Sequence, residues 1–145
     1  MELNGLKEKL VPIDRSIREI LGQFDGYLEY EYSGMVEYNH ADPEQCQMAS
    51  VLYTVLRHLE DAHLQMEYMR LPVTHRGRLH QNANGRYECD GVELTCGSPV
   101  EVLVSDSFSG EREWYASHIE ADNGYYLVGK KNLDLEGMEA RIRGR

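Results

Sequence analysis

The chain is 145 residues long, with 41% hydrophobic and 28% charged residues and a formal net charge of −10 at neutral pH. That composition is long enough and apolar enough for one domain or two small ones, and it excludes wholesale disorder. No apolar run reaches bilayer length, and Met1-Glu2-Leu3-Asn4 lacks the basic and apolar regions of a signal peptide. Three widely spaced cysteines fit reduced thiols better than a disulfide framework, so the expected location is the cytoplasm.

Leu3, Leu6, Leu10, Ile13, Ile17, Ile20, Phe24 and Leu28 recur at alternating spacings of three and four residues, which predicts one apolar stripe on a helix over about residues 2–28. Pro12 lies inside that pattern without an N–H to donate, so a kink or a fresh helix start is expected there. Asp42-Pro43-Glu44-Gln45 combines a capping acid, a proline at the first helical position and a Gln at the capping-box position. These residues start a second helix, which Pro72 closes after about residue 70. Met48, Leu52, Val55, Leu59, Ala62, Met66 and Met69 mark its apolar side. Two amphipathic helices joined by a short polar segment predict an antiparallel hairpin spanning residues 1–72. A hairpin buries little alone, so the expected cover for its remaining apolar surface is a second copy of the chain.

From residue 73 the period changes. Asn82-Ala83-Asn84-Gly85, Asp90-Gly91, Gly97-Ser98-Pro99 and Asn123-Gly124 are reversal signals separating short β-branched and aromatic runs, the clearest being Val100-Glu101-Val102-Leu103-Val104. Closely spaced short strands of this kind predict a small antiparallel β-barrel over residues 73–145, with Pro72 to His75 as linker. The fold class is therefore α+β.

Several of these segments also carry a resemblance. Gly77-Arg78-Leu79-His80, Asn84-Gly85-Arg86-Tyr87, Leu94-Thr95, Gly97-Ser98-Pro99-Val100-Glu101-Val102, Tyr125-Tyr126-Leu127-Val128-Gly129, Leu135-Glu136-Gly137 and Ala140-Arg141-Ile142-Arg143 together resemble an uncharacterised domain, domain of unknown function 5348, of Gram-positive bacteria and their mobile elements. The resemblance covers roughly the C-terminal half. It implies a compact barrel of the SH3-like type and a phage or conjugative-element setting, and it implies no activity.

Charge divides the chain unevenly. Residues 1–72 carry 13 acids and 6 bases, a net of −7, against 12 acids and 9 bases, a net of −3, in residues 73–145. Between Arg18 and Arg57 there is no Lys or Arg, while Glu19, Asp25, Glu29, Glu31, Glu37, Asp42 and Glu44 accumulate among tyrosines. A polyanion is repelled by such a segment and a basic protein attracted to it. The expected partner-binding residues are Glu29, Tyr30, Glu31, Tyr32, Glu37 and Tyr38. Their expected target is a basic groove on another protein, such as a host defence nuclease. The competing expectation is a nucleic-acid-binding factor using Arg78, Arg86, Lys130, Lys131, Arg141 and Arg143 with stacking aromatics, weakened by the net negative charge of that half.

Reaction chemistry has little to work with. His75, His80, Cys89 and Cys96 lack metal-ligand spacing, and His58 and His63 do not share a helix face and are expected at the surface or seam edge. Cys46, near a helix start, has no marked base to activate it, and the glycines are spaced as turn residues rather than as a phosphate loop. No catalytic residue, metal or cofactor is expected, and the protein is read as non-enzymatic.

Overall fold

The computed structural model describes residues 1–24 and 36–144. The chain divides into two compact units, Met1–Arg70 and Leu71–Arg145. The first holds two helices, α1 (Leu3–Leu21) and α2 (Pro43–Arg70). The second is all β, with β1 (Val73–Arg78), β2 (His80–Gln81), β3 (Tyr87–Cys89), β4 (Val92–Glu93), β5 (Pro99–Ser105), β6 (Arg112–Ala121), β7 (Tyr125–Leu127) and β8 (Glu139–Arg143). The protein is thus α+β, two helices followed by antiparallel sheets. Among the described residues no helix is long and apolar enough to cross a membrane.

The start of α2 follows from its capping residues. Asp42 Oδ1 accepts the Glu44 backbone N–H at 3.0 Å, Gln45 Oε1 accepts that of Asn39 at 2.8 Å, and Pro43 occupies the position where a missing N–H costs nothing. α1 departs from expectation twice. It continues through Pro12 as one helix, losing only the bond that Pro12 would have donated to Glu8. It also ends at Leu21 rather than near Leu28, because Gly22, the poorest helix former after proline, caps it with its N–H on the Arg18 carbonyl. Residues 25–28 of the expected helix lie outside the described residues.

In the second unit a five-stranded sheet runs in the order β1-β8-β5-β6-β7, and β2-β3-β4 form a three-stranded sheet. The stretch expected to be a linker already belongs to β1, whose Val73 pairs with Arg143. Asp90 and Gly91 both take positive φ, 49° and 80°, the mirror-image turn that matches the twist of a two-residue hairpin between β3 and β4. The chain passes from one sheet to the other at Leu79, which donates to Met138 O and accepts from Gly137 N.

Both sheets enclose one core. Leu79, Cys89 and Leu94 meet Val100, Val102, Val104, Ile119, Leu127, Leu135 and Ala140 there. Period-two alternation along β5 sends its three valines inward, the pattern of a strand with one core face. Among the described residues no ladder joins the two sheets into a closed ring, so the expected barrel is observed as two antiparallel sheets.

Candidate functional site

In the helical unit the sequence stripe and the packed face differ. The buried residues of α1 are Asp14, Ile17 and Leu21, and those of α2 are Ala49, Glu60 and His63. Most of the expected seam is exposed instead: Leu3, Leu6, Leu10, Ile13 and Ile20 on α1, and Met48, Leu52, Val55 and Met69 on α2, with Ile13 54% and Leu52 51% accessible; Val51, outside the expected seam, is exposed beside them. On α1, Leu3 and Leu10 share the face of buried Ile17 yet stay exposed, while Ile13 and Ile20 lie to one side of it; on α2 the open residues lie to one side of the packed face.

What joins them is polar. Asp14, fully buried, accepts from His63 Nδ1 at 2.9 Å, Arg70 Nη1 at 2.7 Å and Arg18 Nη2 at 3.3 Å. Glu67 completes the network, taking Arg70 at 3.2 Å and Arg18 at 3.7 Å. Burial by itself would raise the Asp14 pKa. Hydrogen bonds from His63 and Arg70, with their charges, outweigh it and leave the carboxyl below its ordinary value. Asp14, His63 and Glu67 form the one group among the described residues with metal-ligand geometry. Two guanidinium groups already occupy the same carboxylates, however, and oppose a dication, so the cluster is an ion-pair lock.

Sequence reasoning missed Asp14 and placed His63 at the surface or the seam edge; it is buried where the two helices meet. The available signal was a charged residue in phase with Ile17 and Leu21 on an otherwise apolar face.

Of the expected partner-binding residues, Glu29, Tyr30, Glu31 and Tyr32 lie outside the described residues. Glu37 is exposed, and Tyr38 stacks on His40 with ring centroids 4.1 Å apart in the loop leading to α2. Glu19, Glu37 and Glu44 are exposed, and none of them has an ion-pairing cation among the described residues.

The expected nucleic-acid residues do not form one basic patch. Arg141 and Arg143 both grip Glu101, Arg143 at 2.8 Å, and Arg143 also donates to the Leu71 carbonyl at 2.8 Å. Arg78 lies 3.6 Å from Glu139, and its other nitrogen donates to Gly137 O. On the three-stranded sheet Arg86 pairs with Glu93 at 2.7 Å, which with the Tyr125 hydroxyl raises the Arg86 pKa above its ordinary value. Lys131 pairs with Asp122 at 2.6 Å, and Lys130 sits 5.2 Å above the Tyr115 ring. Five of these six bases therefore share four carboxylates of the same unit, which weakens the field available to attract a phosphate backbone.

Trp114 is the stacking group best placed beside a cation. Arg141 is 4.3 Å and Arg76 5.3 Å from its ring centroid. Both guanidinium groups use the ring that a base would need.

Residues 77–142 match the family model of a domain of unknown function, DUF5348. The matched span runs from Gly77 in β1 to Ile142 in β8, the C-terminal half of the chain, and takes in the whole core of the two sheets. No curated protein and no solved structure matches the chain.

In the sheet unit the candidate metal ligands do not converge. Cys89 is buried and Cys96 exposed, while His80 is held by Glu136 at 2.9 Å and His75 by Thr74 at 3.0 Å. Burial, with the neighbouring Asp90 charge, pushes the Cys89 thiol pKa up and away from reactivity. A shallow groove of about 450 Å³ lies between Val104, Gly129, Lys131, Leu133 and Met138. Its floor is tight: a Cβ on Gly129, whose φ is +84°, would overlap the Tyr115 hydroxyl.

Proposed function

We propose that this is a non-enzymatic, cytoplasmic interaction protein of a mobile element or phage, which binds a basic protein partner through the acidic, tyrosine-rich segment between α1 and α2. A nucleic-acid-binding groove, as in a host defence nuclease, is the partner surface whose charge fits. The observation that carries this reading is the contrast in charge compensation. Five of the six bases named above for the sheet unit pair with its own acids, whereas exposed Glu19, Glu37 and Glu44 stand without an ion-pairing cation among the described residues. Uncompensated carboxylates beside tyrosines steer and anchor a cationic partner.

In this reading the two helices form an antiparallel hairpin. Asp14 and Arg18 of α1 meet His63, Glu67 and Arg70 of α2, which fastens the hairpin near the end of α2. The two sheets around one core are then the two halves of an SH3-like barrel, consistent with the spacing of the strands and their short turns.

The test is affinity capture from a bacterial lysate at stepped salt, with mass spectrometry, comparing the native chain with the Glu29→Lys, Glu31→Lys, Glu37→Lys triple variant. Basic proteins released by salt from the native chain and lost, by about tenfold or more, from the triple variant are expected. Unchanged capture overturns the reading. So does a gel shift of duplex DNA by the native chain with a steep negative salt slope.

A further inference from the structure

The open apolar arcs of α1 and α2 need an occupant. We infer that it is a second copy of this chain, closing a four-helix bundle through Leu6, Ile13, Met48, Leu52, Val55 and Met69. The inference uses the antiparallel helix pair proposed above but not the acidic partner site.

Four observations support it. Among the described residues the helical unit is under-filled: its buried apolar residues are Ile17, Leu21 and Ala49, few for two helices, since a helix draws most of its stability from packing an apolar face. The open residues of α2 lie along one side, roughly 110° round from Ala49, Glu60 and His63. With the helices opposed, the open side of α1 falls on the same side of the pair, so the two stripes form one surface.

That surface has the size a dimer needs. The exposed parts of these side chains, with Leu10, Ile20 and Val51, sum to roughly 800 Å² per chain, the share each partner gives to a standard interface. It is also chemically selective. No Asp, Glu, Lys or Arg interrupts the α2 stripe from Met48 to Met69, so the occupant must be apolar and about 42 Å long to cover this 28-residue helix. A second copy presents a stripe of the same length and character about a twofold axis, which a compact basic partner does not.

The experiment is analytical ultracentrifugation of the full chain, with thermal unfolding followed by circular dichroism at several concentrations. The native chain is expected to sediment at twice the mass of the chain at about 100 μM, with a helical melting temperature that rises with concentration. Leu52→Glu with Val55→Glu replaces exposed residues and leaves the Asp14 contacts alone. It should weaken association by about a hundredfold or more while keeping the β-sheet signal. Ile13→Lys, on the other helix, should do the same. A monomeric native chain, a melting temperature independent of concentration, or full dimerisation of both variants would overturn the inference. The Glu-to-Lys triple variant should remain dimeric, so loss of partner capture and loss of the dimer are told apart.

Discussion

Each unit of the chain holds a buried carboxylate paired with arginines, Asp14 in the helices and Glu101 in the sheets, and the two differ in how much water reaches those cations. In the sheet unit Glu101 is clamped by Arg141 and Arg143, whose side chains are 17% and 12% accessible. In the helical unit Asp14 is as well buried, but its arginines, Arg18 and Arg70, are 57% and 41% accessible. The same pairing therefore has different weights. A desolvated cation left alone after its partner is removed is expensive, whereas an exposed one is re-solvated at once. The sheet unit carries its charge lock as part of a finished body, and the helical unit carries one at the edge of a surface still open to a partner.

Three substitutions test that contrast. Glu101→Ala strands two nearly buried guanidinium groups and should cost about 3–5 kcal/mol, read as loss of the β-sheet transition in urea or heat. A loss below about 1 kcal/mol would mean that the two arginines find water easily.

Asp14→Asn should cost less, about 2 kcal/mol, and mainly in the helical signal, because only the His63 contact is fully enclosed. The pH dependence gives its sign. The folded Asp14 pKa lies below the ordinary carboxyl value of 3.8, so its contribution is complete above that value and fades as pH falls through the folded one. Helical circular dichroism of the native chain should therefore drop on acidification below about pH 4, with a smaller drop in Asp14→Asn. Equal acid sensitivity in the two proteins would remove Asp14 from the account.

The smallest effect belongs to Lys131→Ala. Lys131 and Asp122 are both 59% accessible, and their removal should leave the melting temperature unchanged within error.

How far the sequence reveals this molecule depends on how local each signal is. The start of α2 is written in Asp42, Pro43 and Gln45, and the reversals at Asp90-Gly91 and Asn123-Gly124 appear as positive-φ pairs because few residues other than Asn, Asp and Gly accept that backbone in a tight turn. Residues that act at long range are another matter. Asp14 meets its partners 49 and 56 positions away, and Glu101 meets its arginines 40 and 42 positions away. In both cases a carboxylate set among apolar neighbours reads as a surface residue until the fold supplies its cations. The apolar stripe of α1 was legible as a stripe. Which edge of it packs within the chain was not, because periodicity counts apolar residues and cannot rank two faces of similar width. The basic residues of the second half were equally visible, but their pairing with Glu93, Asp122, Glu101 and Glu139 belongs to the register of the sheets.

The pairing of β1 with β8 has one more consequence. Val73 lies opposite Arg143, and the Gly144 N–H reaches the Pro72 carbonyl at 3.1 Å, so the first and last strands of the sheet unit leave it side by side. A module tethered at two adjacent points can be spliced into a surface loop of an unrelated host without stretching either, and its own ends can be sealed by a short bridge and reopened at the Asn82–Gly85 tip. The domain is built as a portable cassette.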